Sequence, residues 1–172
     1  MTNSEIHFNE YDPYYGRYIS KIAPSTHLRD GYINGLKQTM SFFKSVPKNK
    51  LLYNYAPDKW TVQEILQHLI DTEKIFMYRC FRIARRDTTS LAGFNQEIYV
   101  EPSGANNKSI EELLDEYRIG REGSITFLKS ITDEDLLFIG DANGGPMSAR
   151  AAAFTIIGHD IWHMEIIKGR YL

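Results

Sequence analysis

His159 and His163 stand four residues apart near the C-terminus, and His68 lies roughly ninety positions upstream. The stretch from Ile156 to Ile167 reads as helix, so the pair sits one turn apart on a single face. At about 100° per residue that face also carries Ala152, Ile156 and Ile167, the stripe a bundle would bury. Two imidazoles so placed can bite one divalent cation, and His68 from a neighbouring helix would bring the set to three. Zinc on three protein nitrogens is the arrangement of a catalytic site, whereas structural sites are closed by four protein ligands. Nickel and iron also accept imidazole. A divalent ion held there would lower the pKa of a water toward ~7, or convert a thiol to a thiolate, and so ready a nucleophile. Spacing alone is weak, since five histidines place a chance pair four apart in roughly one chain in ten. A buried histidine can equally donate to a carbonyl or carboxylate. Asp71, one turn from His68, is the candidate to orient an imidazole through its second nitrogen. Glu73 and Asp160 read as ordinary surface charge, and His7 and His27 lie outside the pattern.

The elements that must position these groups can be read from caps and periodicity. Residues 1–24 carry Tyr11, Tyr14, Tyr15 and Tyr18 with Pro13 and Pro24 but no sustained helical period. So aromatic a segment is not a disordered tail, and it reads as an arm packed on a single domain spanning 25–172. Thr26 to Lys44 repeats apolar residues at Leu28, Tyr32, Leu36, Met40 and Phe43, and Pro47 closes it. Thr61 with Glu64 forms a capping box opening a second helix, whose stripe runs through Val62, Ile65, Leu66, Leu69, Phe76, Cys80 and Ile83 with His68 at its edge. Residues 87–108 read as a long connection of the kind that is often functional. Ser109 with Glu112 opens a third helix to about Lys129, in which Gly120 and Gly123 each weaken the middle by roughly 1 kcal/mol. Those glycines either face solvent or permit close helix approach. Thr132 and Asp135 start a short turn, and Gly140 to Pro146 is a Gly-rich turn matching neither nucleotide-binding spacing. Ser148 caps a last helix to about Arg170. Four long amphipathic helices and no convincing strand predict an all-α bundle.

Composition narrows the function classes. A chain of 172 residues fits one domain with a substantial core. Twenty basic against twenty-two acidic residues, net −2, supply no field to attract nucleic acid. Arg79, Arg82, Arg85 and Arg86 form one helix edge, read as a solvated flank. Cys80, the single cysteine, lies among Phe76, Met77, Phe81 and Ile83 and reads as a small core residue. No apolar run approaches the ~20 residues of a membrane span. The N-terminus lacks a basic region followed by an apolar run, so a cytoplasmic location is expected.

Four segments carry a family resemblance: Lys59 to Glu73 (KWTVQEILQHLIDTE), Ala92 to Gln96 (AGFNQ), Gly144-Gly145-Pro146, and Gly158 through His163. They resemble the DinB/YfiT-like superfamily, from about residue 26 to the end. The resemblance implies an up-down-down-up four-helix bundle, with His68, His159 and His163 as metal ligands. Relatives include thiol-dependent enzymes, such as bacillithiol S-transferases and a mycothiol-dependent isomerase. Trp162 departs from the family pattern, which has histidine or a polar residue there in many relatives, so the metal surroundings differ here. The expected function is a divalent-metal-dependent enzyme, with zinc foremost, that activates water or a low-molecular-weight thiol for hydrolysis or S-transfer on a small molecule. Tyr78, Arg79, Phe94, Asn95 and Gln96 are candidate substrate contacts, and homodimerisation is expected by analogy. The competing reading is a noncatalytic metal-binding or stress-response interaction module.

Overall fold

A computed structural model describes residues 1–172. The chain begins with three single 3-10 turns, Asn3–Glu5, Phe8–Glu10 and Pro13–Tyr15, and a one-turn helix α1 (Gly16–Ile19). The elements that follow are α2 (Leu28–Ser45), α3 (Val62–Ala84), α4 (Glu97–Ser103), α5 (Ile110–Ser130), α6 (Asp133–Leu136), strands β1 (Ile139–Ala142) and β2 (Gly145–Ser148), and α7 (Ala149–Arg170). The long helices α2, α3, α5 and α7 form an up-down-down-up bundle in which α3 packs on α5 and α7, and α2 packs on the same two.

Both capping boxes form. The Glu64 N–H donates to Thr61 Oγ1 at 3.1 Å while the Thr61 N–H donates to Glu64 Oε2 at 2.7 Å, and Ser109 and Glu112 repeat the exchange at 3.2 and 2.7 Å. These reciprocal bonds satisfy backbone donors that the first helical turn would leave open. Gly120 and Gly123 face open space, with no atom within 4 Å of where a Cβ would stand. That settles the two readings in favour of solvent.

Three expectations are corrected. The long connection read across residues 87–108 carries elements of its own, α4 and a further turn at Ala105–Asn107. Seven residues interrupted by Pro102 are too few to display a helical period in the sequence. The absence of strands also fails, because β1 and β2 pair antiparallel from Ile139 opposite Ser148 to Ala142 opposite Gly145. Asn143 and Gly144, at φ 61° and 78°, make the two-residue turn whose twist matches that of a hairpin. Leu91 joins its edge, donating to the Asp141 carbonyl at 3.0 Å and accepting from the Asn143 N–H at 2.8 Å.

The third correction concerns α7, which is not amphipathic in its first half: every residue from Ala149 to Asp160 is buried. A helix buried all round must be covered on all sides, and here α1 and the segment before it supply the cover. The crossing is close. A Cβ on Gly158 would lie 2.1 Å from the Tyr18 carbonyl oxygen, so only glycine lets the arm descend onto α7 beside His159. Glu10 fastens the arm further, taking Arg150 Nε and Ser148 Oγ at 2.8 Å each. No helix is long and apolar enough to cross a membrane.

Candidate metal centre

The three histidines meet. His159 Nε2 lies 3.1 Å from Nε2 of His68 on α3 and 3.0 Å from Nε2 of His163 one turn along α7. Ring nitrogens about 2.0–2.1 Å from a tetrahedral zinc stand roughly 3.3 Å apart, close to these two separations, and the three donor atoms all lie within 4.8 Å of one another. The electrostatics agree with that spacing. Burial, with the neighbouring histidines adding to it, pushes the His68 imidazole down to about 3 and holds His159 well below its usual range; burial alone takes His163 to about 4. All three rings are therefore neutral at pH 7 and need lose no proton to act as ligands. Thr72 Oγ1 stands 3.4 Å from His68 Nδ1, the nitrogen that must carry the proton if Nε2 is to offer its lone pair. His163 Nδ1 is buried without a partner. With the proton on each Nδ1 the three Nε2 lone pairs converge, a repulsion that a divalent ion between them relieves, and the three residues fit such an ion.

The rings are held by packing. Trp60, just ahead of α3, lies 4.7 Å from the His68 ring, and Tyr18 of the arm meets His159 edge-on at 5.0 Å. Trp162 does not enter the site; it packs edge-on against Tyr18 at 5.7 Å and so steadies the ring that steadies His159.

The carboxylates fall elsewhere than the sequence reading placed them. Asp71 does not reach an imidazole: its Oδ1 accepts from Gln67 Nε2 at 3.1 Å and lies 3.5 Å from Lys74 Nζ. Thr72, four residues after His68, occupies the position assigned to it. Glu73 and Asp160 are not surface charges but are buried on one guanidinium, Arg121, whose Nε donates to Glu73 Oε1 and Nη2 to Asp160 Oδ2, both at 2.8 Å. Desolvation pushes the Asp160 carboxyl up against the opposing pull of Arg121, and Tyr117 donates to it at 2.6 Å. The ion cluster thus fixes the α7 residue next to His159.

A cavity of about 380 Å³ opens beside the trio, bordered by His68, Thr72 and His159, by Tyr15 and Tyr18 of the arm, and by Arg79, Phe94 and Gln96. Of the five candidate contacts three line it. Tyr78 instead accepts from Arg82 on the outside of α3, and Asn95 Oδ1 accepts the Glu97 N–H at 3.1 Å in a turn just ahead of α4. Arg79 is also not part of a solvated flank, being 1 % exposed. Cys80 is buried in the core and its thiol is pushed up to about 12 by that burial. Tyr18 was not readable as a site residue, because its place depends on the arm's path; its spacing three after Tyr15 was the available signal.

An up-down-down-up bundle with three histidines from two helices converging at a cavity defines the class. The profile of the DinB superfamily matches residues 34–167, and the chain belongs to that superfamily. A solved structure of YfiT from Bacillus subtilis, described as a probable metal-dependent hydrolase with an unusual four-helix bundle topology, superposes with a TM-score of 0.72 over 97 % of this chain and 95 % of that one at 16 % identity. At that identity the likeness is one of fold. No curated protein sequence matches the chain.

Proposed function

We propose that this chain is a divalent-metal-dependent enzyme that acts on a small molecule by activating water or a thiol, for hydrolysis or S-transfer. The observation that carries the reading is three neutral imidazoles facing one another at a cavity, with no carboxylate or thiolate in the group to close the coordination. A divalent ion bound there would supply Lewis acidity to whatever oxygen or sulfur enters beside it. The rest of the work belongs to the chain. His68 and His159 would present the ion to the cavity, Thr72 Oγ1 stands where it accepts the N–H of His68 Nδ1 when Nε2 is the ligand, and Tyr15, Tyr18, Phe76 and Phe94 exclude bulk water from the walls. The description of YfiT as a probable metal-dependent hydrolase favours the water branch. The test is protein reconstituted with zinc, nickel or iron(II), assayed on ester, amide and phosphoester panels and on electrophiles with several small thiols. Metal-dependent turnover that falls at least a hundredfold in His159→Ala is expected; metal-loaded protein inert on every panel would overturn the proposal.

A further inference from the structure

Three arginines are buried in this small protein: Arg121, Arg150 and Arg79, at 0, 7 and 1 % exposure. Two of them sit on carboxylates, Arg121 on Glu73 and Asp160, and Arg150 on Glu10. That is the ordinary condition of a buried charge, which is tolerated when paired. Arg79 has no carboxylate partner. Its Nη2 donates to the Ala92 carbonyl at 3.0 Å and its Nη1 to the Tyr15 hydroxyl at 3.3 Å, which uses two of five N–H donors. The plane lies near the faces of Phe76 and Phe94, at 5.0 and 5.6 Å, contacts that favour the cation without neutralising it. It borders the same cavity as His68 and His159. Asp12, the acidic residue on that cavity's wall, is turned to the Tyr14 N–H at 2.8 Å.

We infer that Arg79 is the anion-recognition residue of the cavity, and that the small molecule acted on at the histidines carries a carboxylate at its far end. The inference rests on the metal-dependent reading above and names its substrate class. Along α3, residues 68 and 79 are separated by about 16 Å of helix axis, and both side chains reach into the space between. A ligand lying along that wall puts its reactive group at the imidazoles, its apolar body against Phe76 and Phe94, and its anion on the unused N–H groups of Arg79. A guanidinium fork receives two carboxylate oxygens side by side, which a neutral amide or alkyl end cannot supply.

The test uses two hydroxamates on the zinc-loaded protein, suberic acid monohydroxamate with a free carboxylate end and octanohydroxamate with a neutral one, read by calorimetry. The carboxylate probe is expected to bind the wild type at least tenfold more tightly. In Arg79→Gln that preference should shrink below twofold, and Arg79→Lys should retain part of it. Equal affinities in the wild type, a comparison independent of whether any variant folds, would overturn the inference. So would a preference that persists in a folded Arg79→Gln. If neither hydroxamate binds, the metal reading fails, and the anion site is read separately on metal-free protein with 4-phenylbutyrate against 4-phenylbutyramide. A carboxylate preference lost in Arg79→Gln would then support the anion site, and no preference would overturn it.

Discussion

The imidazoles of this site are kept neutral chiefly by burial, and their direction is set by uncharged neighbours. Thr72 is the residue that orients His68 by hydrogen bonding, and partners of this kind typically contribute ten- to a hundredfold in metal affinity. Thr72→Val should weaken zinc binding about tenfold in competition with a chromogenic chelator, while circular dichroism stays unchanged. The pairing of His159 with His163 was legible from helical spacing, and Thr72 was legible in principle, since it follows His68 by one turn. Glu73 and Asp160 were not, because the arginine that buries them lies 48 and 39 positions away and no local pattern announces it. Arg121→Met would leave both carboxylates buried without their cation, and should cost about 3–5 kcal/mol in urea unfolding. A loss under about 1 kcal/mol would mean that the cluster is solvated.

Glycines in two helices show how an element responds to what lies beside it. Gly120 and Gly123 on α5 face solvent, so Gly120→Ala should stabilise the chain by up to about 1 kcal/mol through helix propensity. Gly158 on α7 meets the Tyr18 carbonyl, so Gly158→Ala should destabilise by about 2–3 kcal/mol and loosen metal binding as Tyr18 is pushed from His159. Thermal melts of the two variants should therefore move in opposite directions. The sequence contains both kinds of glycine without distinguishing them, because the difference is made by a chain segment some 140 residues away. Caps and apolar periods made the long helices readable. Strands of four residues that carry glycine and proline, as β1 and β2 do, offer too few positions for alternation to show, although Asn143-Gly144 marks the turn.

At the scale of the molecule, the N-terminal arm turns an open bundle into one with a walled site, by covering α7 and placing Tyr15 and Tyr18 at the cavity. Its aromatic content was readable, but its path over Gly158 was not. Glu10 anchors it. Burial alone would raise that carboxyl, but bonds from Arg150, the His7 N–H and Ser148 outweigh burial and hold it below its ordinary 4.5. A carboxyl lowered in the folded chain contributes stability above the unfolded value, and that contribution is lost as pH falls through the folded value. The melting temperature should therefore drop below pH 4.5, and Glu10→Gln should remove that part of the acid dependence while lowering stability by about 3 kcal/mol near neutrality. The arm, the ion cluster and the paired helices all serve one arrangement, three neutral imidazoles turned toward one another, which we propose hold one cation. Elemental analysis by plasma mass spectrometry of untagged protein, purified without added metal or chelator and compared with His163→Ala, tests that most directly. About one equivalent of zinc, nickel or iron per chain, lost in the variant, is the predicted result; no metal in the wild type, even after reconstitution, would contradict it and leave the trio a buried polar cluster.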